Sequence, residues 1–397
     1  MHIDVNNAFL SWSAIELLNN GSKYDIRDSY AVIGGDETAR KGIVLAKSNP
    51  AKKQGVVTAE TLYSAKKKCP ALRVYPPNFK FYSQMSKSMF NLLKKYTPDI
   101  EVASIDECYL DYGKVKNLYG DEVEFARKIQ KEIYETLGFT VNIGIANNKL
   151  CAKMASDFSK PNKIHTNFRN EIKYKMWPLP IGDLFGVGKS TASKLKKLNI
   201  KTIGELANTD INILYPYFKN QAKYLIDIAN GIDYSEVIST PPEPKGLGSE
   251  ITLPKDCTDK MVLYNYLESI ADDVATRLNA NEKYAFVICV TLKDSTFKRY
   301  SHQKKLVNAV CSCKDIFNAS KEILNEMYDN RPIRLIGIRT DKLVDKLYHQ
   351  ESIFDSFEDV KNDNNLDKTL LGLKNKFGSN VISKAGLITN EKLSKLN

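Results

Sequence analysis

Three acidic residues, Asp4, Asp106 and Glu107, could bind divalent metal ions if the fold brings them together. Two-metal phosphoryl transfer needs carboxylates that converge on hard cations about 3.5–4 Å apart. One ion activates the attacking oxygen and the other holds the leaving group. The alternative interpretation is that acids at a hairpin turn are simply solvated, because turns favour polar residues. The residue types alone leave both interpretations open.

The segments that carry these acids are predicted to be neighbouring strands. With a mixed insertion between residues 21 and 77 set aside, the chain up to Ile145 follows the order β-α-β-β-α-β, which is typical of a ferredoxin-like fold. In that fold the first strand lies beside the third, so Asp4 should approach the turn with Asp106 and Glu107. Adjacent strand residues point to opposite faces, so the turn must redirect one of the two acids. The predicted elements are the strand Met1–Val5, the helices Asn7–Leu18 and Phe81–Tyr96, the strands Ile100–Val102 and Cys108–Tyr112, the helix Val123–Leu137 and the strand Thr140–Ile145.

A second α/β unit is predicted nearer the C-terminus. It follows a helical region between residues 181 and 230 and a stiff Pro-rich segment at Thr240–Pro244. The same order of elements recurs there, so the sequence predicts an α+β multidomain fold. The elements are the strand Leu247–Leu253, the helix Val262–Leu278, the strands Ala285–Leu292 and Thr296–His302, the helix Asp315–Tyr328 and the strand Ile333–Thr340.

The charge balance favours a polyanionic partner. The 397 residues include 58 Lys and Arg against 47 Asp and Glu, a net charge of +11, which suits phosphate contacts through counterion release. A Lys-biased genome would give the same balance, so both explanations stay open.

The longest apolar run, Tyr284–Leu292, is too short to span a membrane, and the N-terminus lacks a signal-peptide pattern. Seven scattered cysteines support neither disulfides nor a zinc site. We therefore expect a cytoplasmic protein without a membrane partner.

Three sequence blocks resemble the palm motifs of Y-family translesion DNA polymerases of the UmuC/DinB, bacterial DNA polymerase IV-like type. They are His2–Asn6, Ser104–Asp111 and Gly144–Ser156, the last continuing to Lys160-Pro161-Asn162. The resemblance implies a ferredoxin-like palm with inserted fingers, a helical thumb with a helix-hairpin-helix element, and a second α/β domain called the little finger. The implied boundaries are palm at 1–10 and 77–166, fingers at 11–76, thumb at 167–239, linker at 240–245, little finger at 246–341 and tail at 342–397.

The resemblance also implies roles for residues around the acids. Asp4 and Asp106 resemble the carboxylates that bind both Mg²⁺ ions of the family, and Glu107 the one that binds the catalytic ion. Lys160 resembles a lysine that meets the triphosphate as a point charge. Phe9 resembles the steric gate, a ring that would clash with the 2′-hydroxyl of a ribonucleotide. On pattern alone Phe9 is equally a core residue of an amphipathic helix.

Two features depart from the family pattern. Members often place a Tyr and an Arg over the incoming triphosphate, whereas the matching segment here has Asn49 and Lys52. Lys52 keeps a positive charge without the planar guanidinium group, and Asn49 offers hydrogen bonds without a ring. Their contacts with the incoming nucleotide are therefore expected to differ from those of the Tyr and Arg in other members. Asp4 also lies almost at the start of the given sequence, which raises the question whether residues precede it.

A glycine-containing turn before a basic helix is a candidate for binding the DNA backbone. Gly186, Gly188, Lys189 and Ser190 resemble a helix-hairpin-helix element, in which backbone N–H groups at a helix start face a phosphate. The alternative is a plain turn between helices. A P-loop is excluded because Asp183 occupies the position of its first glycine.

Basic residues also cluster around a predicted hairpin of the second unit. Alternation would place several of them on one sheet face, which suits a duplex backbone. A sheet edge protected by lysines is the alternative. The residues are Lys293, Lys298, Arg299, Lys304 and Lys305, of which we assign Lys298 and Arg299 to DNA binding.

The polar tail contains a short peptide that resembles the clamp-binding motif of bacterial polymerases. Gln350, Ile353 and Phe354 supply a Gln and two apolar anchors.

Together, the resemblance and the candidate sites imply a monomeric, template-directed lesion-bypass DNA polymerase. It would use dNTPs, primer-template DNA, two Mg²⁺ ions and a sliding clamp, and it would not proofread. The alternatives are a catalytically silent DNA-binding repair scaffold and, third, a helix-hairpin-helix nuclease.

Overall fold

The chain forms two compact units, Met1–Pro241 and the part from Pro242 onward. In this computed structural model the described residues are 1–36, 40, 42–345 and the single positions 369, 372, 373 and 376. Both units combine helices with sheets, so the predicted mixed α/β architecture is confirmed. Within the described part of the chain, every helix is too short or too polar to cross a lipid bilayer.

The first unit contains a large sheet, a small sheet and the helices that cover them. Its strands are β1 (His2–Val5), β2 (Ala31–Gly34), β3 (Val44–Lys47), β4 (Arg73–Tyr75), β5 (Ile100–Val102), β6 (Glu107–Leu110), β7 (Val141–Ile145) and β8 (Ile164–Thr166). Its helices are α1 (Ala8–Asn19), α2 (Asn49–Lys53), α3 (Leu62–Lys68), α4 (Phe79–Leu93), α5 (Lys116–Tyr119), α6 (Glu122–Leu137), α7 (Lys149–Asp157), α8 (Ile172–Lys175), α9 (Lys189–Lys197), α10 (Ile203–Ala207), α11 (Ile211–Phe218) and α12 (Gln221–Ala229).

The large sheet has the strand order β5-β6-β1-β7-β8. β1 pairs antiparallel with β6 on one side and β7 on the other, which is the predicted ferredoxin-like arrangement. β8 extends the sheet as a parallel edge strand that we did not expect from the sequence. Ile3, Trp12 and Ile129 are fully buried in the core between this sheet and α1, α4 and α6. The apolar residues that alternate in β1 and those that recur every 3.6 residues in α6 therefore both face this core, as the sequence predicts.

Helix α7 lies directly against β7 because Gly144 has no side chain. A Cβ atom on Gly144 would lie 1.9 Å from the Ala152 carbonyl oxygen and 2.5 Å from the Ser156 amide nitrogen. The Asn148 side chain caps the helix by accepting a hydrogen bond from the Cys151 N–H, 2.8 Å away. This close contact brings the middle of α7 against β1.

The small sheet and the helical region occupy the remainder of the first unit. The small sheet has the order β3-β2-β4, with β2 and β4 parallel. Helix α1 runs without interruption through residue 10, where the resemblance placed a domain boundary. Helices α9 to α12 form the helical region that the sequence predicts between residues 181 and 230.

The second unit has the predicted order of elements with a different pairing of strands. The sheet order is β11-β10-β12-β9, so the first strand lies at an edge beside the last rather than beside the third. The shared order β-α-β-β-α-β therefore does not fix the sheet topology. The elements are β9 (Gly246–Cys257), α13 (Lys260–Ala280), β10 (Tyr284–Asp294), β11 (Arg299–Val310), α14 (Cys313–Met327) and β12 (Ile333–Val344).

Candidate active site

Asp4 and Glu107 lie opposite each other on β1 and β6. Paired residues of antiparallel strands share a face, and the two carboxyl groups interact directly. Only 5% of Asp4 is exposed, and this burial raises the pKa of Asp4 to about 6. The neighbouring side chains of His2, Asp4 and Lys153 hold the pKa of Glu107 below its ordinary value. Glu107 therefore loses its proton at a lower pH than Asp4.

Two ammonium groups compensate this pair of carboxylates. Lys153 Nζ lies 2.6 Å from Glu107 Oε1 and 3.2 Å from Asp4 Oδ2. Lys160 Nζ lies 2.9 Å from Asp4 Oδ2. Asp157 accepts from both lysines, at 3.3 Å from Lys153 and 2.8 Å from Lys160. Burial opposes the charge of Lys153, but its hydrogen bond to Glu107 and the charge of Asp4 raise its pKa, so it stays an ammonium.

Asp106 lies in the bend that precedes β6, beside the end of β1. Its carbonyl oxygen accepts a hydrogen bond from the Val5 N–H at 3.0 Å, and its carboxylate Oδ1 accepts one from Ser104 Oγ at 2.6 Å. The turn that carries the acids is therefore next to Asp4, as the fold predicts. The Asp106 carboxylate faces Ser104 and does not join the ion pairs of Asp4 and Glu107.

The described residues contain no ready-made cluster of three or more His, Cys, Asp or Glu side chains that could hold a metal ion. The chemistry of the donors nevertheless fits a hard divalent cation, because Asp4 and Glu107 offer carboxylate oxygens side by side and Asp106 lies on the adjacent turn. Binding by all three acids requires the Asp106 carboxylate to leave Ser104 and the lysines to give up carboxylate oxygens. Their role as a metal-binding trio stays a prediction.

An asparagine network fixes the loop that carries Lys160. Asn6 Nδ2 donates to Asn142 Oδ1 at 3.1 Å, and Asn6 Oδ1 accepts from the Asn162 N–H at 2.8 Å. Asn142 Nδ2 donates to the Ser159 carbonyl oxygen at 2.6 Å. Asn6 and Asn142 are both buried. Sequence reasoning did not single out these two asparagines, although a polar residue inside a strand of apolar neighbours was a usable signal.

Phe9 lies half-buried at the start of α1 within a group of aromatic rings. It stacks on Tyr82 with ring centroids 4.8 Å apart and 10° between the planes, and Phe79 meets it edge-on at 5.9 Å. The Tyr82 hydroxyl is fixed by Ser13 Oγ at 2.6 Å. The ring of Phe9 is therefore held in one orientation and packs on the core with one face. Both interpretations given to Phe9 fit this position, so the gate stays a prediction.

The two substituted nucleotide-binding positions lie in α2. Asn49 Oδ1 accepts a hydrogen bond from Asn7 Nδ2 at 3.5 Å, which places the start of α2 beside the start of α1. Lys52 is exposed one turn later. Asn49 is thus distant in sequence from the helix that carries Phe9 but close to its start in space, while Lys52 is exposed to solvent.

The turn of the helix-hairpin-helix candidate is exposed. Gly186, Gly188, Lys189 and Ser190 are all accessible to solvent, and Gly188 is the N-cap residue of α9. Gly186 has φ +92°, in the left-handed region that favours glycine. Basic residues concentrate in the last turn of α9. The geometry leaves backbone N–H groups at a helix start open, and the assignment to DNA binding stays a prediction.

The basic residues of the β10–β11 hairpin divide between two sheet faces. Lys304 pairs with Glu322 of α14 at 2.6 Å and so points to the side covered by helices. Arg299, an odd number of residues away, points to the other face and pairs with Glu250 of β9. Lys298 lies in the turn with its ammonium 5.1 Å from the Tyr300 ring. Lys293 lies opposite Arg299 in the register of β10 and β11, and Lys305 is an even number of residues from Arg299, so these three share one face, as alternation predicts for several of the cluster. Lys304 lies on the other face.

Gln350, Ile353 and Phe354, the clamp-binding candidates, lie outside the described residues.

Lys153 is the functional candidate that the sequence analysis missed. It stands inside a block already matched to a palm motif, and its buried position on α7 is visible only once α7 is packed on β7 and β1.

Comparisons with known proteins agree along the whole chain. The impB/mucB/samB family profile matches residues 3–157, the IMS family HHH motif matches 169–200, and the impB/mucB/samB C-terminal domain matches 244–353. DNA polymerase IV of Clostridium acetobutylicum is 49% identical over 391 residues, which covers 98% of both chains. DNA polymerase IV 1 of Bacillus subtilis is 34% identical over 397 residues, covering 98% of this chain and 93% of the relative.

Solved structures show the same relationship. A Y-family DNA polymerase chimera of Dbh and Dpo4 superposes with a TM-score of 0.76 at 27% identity, covering 87% of this chain and 99% of the chimera. The insertion ternary complex of Dbh DNA polymerase has a TM-score of 0.59 at 27% identity, with the same two coverages. The predicted resemblance is thereby confirmed: the chain belongs to the impB/mucB/samB family of Y-family DNA polymerases, of the DNA polymerase IV type.

Proposed function

We propose that Asp4, Asp106 and Glu107 form the catalytic site of a template-directed DNA polymerase that extends a primer 3′-hydroxyl with dNTPs. The observation that carries this proposal is the meeting of the Asp4 and Glu107 carboxylates on one face of β1 and β6, with the Asp106 turn beside them. Family membership makes the chain a DNA-directed DNA polymerase of the lesion-bypass type. The silent scaffold is not favoured.

The chemistry required from these residues is positioning and charge neutralisation. Polymerases of this family use divalent metals, and we propose that two Mg²⁺ ions supply the charge that activates the primer hydroxyl and stabilises the leaving pyrophosphate. Asp4, Asp106 and Glu107 hold them through carboxylate oxygens. Lys160, 37% exposed at its side chain and already beside Asp4, offers its ammonium to the triphosphate. Asn49 and Lys52 approach the same nucleotide from α2.

The remaining parts of the chain are proposed to hold the primer-template duplex. Residues 1–10 and 77–166 act as palm, 11–76 as fingers, 167–239 as thumb and 246–341 as little finger. The backbone N–H groups at Gly186, Gly188, Lys189 and Ser190 face one phosphate strand, and Lys298 and Arg299 contact the duplex backbone. We propose that the polymerase acts as a monomer in the cytoplasm.

Primer extension with a labelled primer tests the proposal. With Mg²⁺ and all four dNTPs, the wild-type protein is expected to lengthen the primer on an undamaged template and to continue past an abasic site. A primer that shortens would identify a nuclease. A primer that stays unchanged while the protein binds the duplex would identify a scaffold, and either outcome would reject the polymerase.

Replacing Phe9 with Ala is expected to increase ribonucleotide incorporation by on the order of tenfold or more, because the missing ring no longer clashes with the 2′-hydroxyl. The measurement is single-nucleotide incorporation of rCTP against dCTP opposite template G. Phe79→Ala is the matched control, since Phe79 packs edge-on against Phe9 and loses a ring from the same group. Unchanged sugar discrimination in Phe9→Ala would leave Phe9 a core residue.

Deleting residues 350–354 is expected to reduce clamp-stimulated synthesis severalfold and to leave basal synthesis unchanged. The reason is that Gln350, Ile353 and Phe354 supply the anchors of a short docking peptide. Synthesis on primed circular DNA is measured with and without a loaded bacterial clamp. Equal stimulation of the deletion variant and the wild type would exclude these residues as the clamp-binding peptide.

A further inference from the structure

Lys153 is a buried lysine whose ammonium group bridges two carboxylates. Only 8% of the residue is exposed, and its Nζ contacts both Glu107 Oε1 at 2.6 Å and Asp4 Oδ2 at 3.2 Å. Placing a lysine in such a position costs side-chain entropy and desolvation, so its persistence requires strong compensation from its partners. Here the partners are two of the acids to which we assign the metal ions.

Without a cation between them, the facing carboxylates of Asp4 and Glu107 would repel each other. Like charges at directly opposite positions of an antiparallel pair are destabilising, and the repulsion is strong at a buried site. Lys160 cannot replace Lys153 in this role. Its ammonium reaches Asp4 and Asp157 but not Glu107, and its side chain is 37% exposed against 10% for Lys153.

Asp157 gives the Lys153 ammonium a second place to bind. It lies one turn further along α7, at position i+4, and its Oδ2 is already 3.3 Å from Nζ. The Asp157 side chain is 45% exposed, so an ion pair there needs little further desolvation. A small rotation of the Lys153 side chain toward Asp157 would free the oxygens of Asp4 and Glu107.

We propose that Lys153 is a positioning residue, an internal counter-cation that holds the Asp4 and Glu107 carboxylates side by side and competes with divalent cations for the same oxygens. The inference rests on the proposed function, because it takes these carboxylates as metal ligands. The Lys153 ammonium would move to Asp157, which it already contacts at 3.3 Å, when a divalent cation takes its place between the two carboxylates. The competition keeps divalent cations weakly bound until the other groups of the site are engaged.

The test measures binding of Mn²⁺ alone to the full-length protein without DNA or nucleotide. In Lys153→Met the competing charge is gone while an unbranched side chain only one atom shorter remains, so the dissociation constant for Mn²⁺, followed by electron paramagnetic resonance, should fall about tenfold or more. In EDTA the variant should unfold at a lower temperature than the wild type, and Mn²⁺ should remove most of that difference. Lys153→Gln, which keeps hydrogen-bond donors without the charge, is measured in parallel and should bind Mn²⁺ more tightly as well.

Lys149→Met is the matched control. Lys149 lies one turn earlier on α7, and its ammonium pairs with both oxygens of Glu101 at 2.7 Å, away from the acids of the site. This variant should lose the same stability in EDTA and in Mn²⁺, and its Mn²⁺ affinity should equal that of the wild type.

An unchanged or weaker affinity for Mn²⁺ in both Lys153 variants would overturn the inference. A loss of stability that Mn²⁺ does not repair would do the same, because it would mean a purely structural ion pair. Primer extension by the wild type separates this failure from that of the proposed function. If the Lys153 test fails but the wild type extends primers, only the role of Lys153 is rejected. A wild type that neither binds Mn²⁺ nor extends primers would overturn both this inference and the proposed function.

Discussion

The variants Asp106→Asn and Glu107→Gln are expected to extend primers about a hundredfold more slowly, or slower still, while binding primer-template DNA almost as tightly as the wild type. Each change removes one negative charge and keeps the volume of the side chain. Glu107→Gln also removes the strongest partner of Lys153, which then pairs with Asp4 and Asp157. Because the positive residues proposed to contact the duplex lie elsewhere, the loss should fall on the chemical step.

Single-turnover extension at saturating dNTP and fluorescence anisotropy with a labelled duplex separate the two effects. Asp111→Asn is the matched control, since Asp111 follows β6 at the end opposite to Glu107 and lies near Lys114. It loses the same charge just after the end of that strand, without touching Asp4. Near-normal extension by both Asp106→Asn and Glu107→Gln would reject the metal-binding assignment, and a parallel loss in Asp111→Asn would point to a general effect of charge.

The part of the site that could be predicted from the sequence depends on local patterns. The alternation in β1, the periodicity of α6 and the hairpin of β5 and β6 are each encoded in consecutive residues. The ferredoxin-like order then places the first strand beside the third, which is enough to bring Asp4 to the turn with Asp106 and Glu107. The sequence analysis did not predict the register in which Asp4 faces Glu107, which the structure shows together with the pairing of the buried Ile3 and Cys108.

The part that could not be predicted depends on contacts between distant segments. Lys153 becomes a partner of Asp4 only when α7 packs on β7, and nothing in its immediate sequence shows which side of the helix is covered. The second unit makes the same point for topology, because its order of elements equals that of the first while its first strand lies at the sheet edge beside the last. Helix α13 packs on β9 and β12 and α14 on β10 and β11, and a single-sequence pattern is insensitive to such long-range contacts.

Replacing Gly144 with Ala is expected to destabilise the first unit strongly. The added Cβ would lie 1.9 Å from the Ala152 carbonyl oxygen and 2.5 Å from the Ser156 amide nitrogen. These are backbone atoms of α7 that cannot rotate away, so the whole helix must move. Overpacking of a core costs about 1–3 kcal/mol and occasionally more, and a clash with backbone should fall at the upper end. For a unit of this size about 3 kcal/mol lowers the unfolding temperature by roughly 6–12 °C.

Differential scanning calorimetry of the full-length protein measures this shift in the transition of the first unit. Gly182→Ala is the control, because the nearest atom to its added Cβ is the Ala192 Cβ at 4.0 Å, an ordinary contact; its transition should move little. An unchanged transition in Gly144→Ala would show that α7 does not lie against β7 as described. If the variant folds, displacement of α7 should also move Lys153 and the loop with Lys160 away from Asp4. Primer extension would then fall further than the fraction of unfolded protein explains. This result would show that the packing of α7 at Gly144 is needed to position the side chains around the acids.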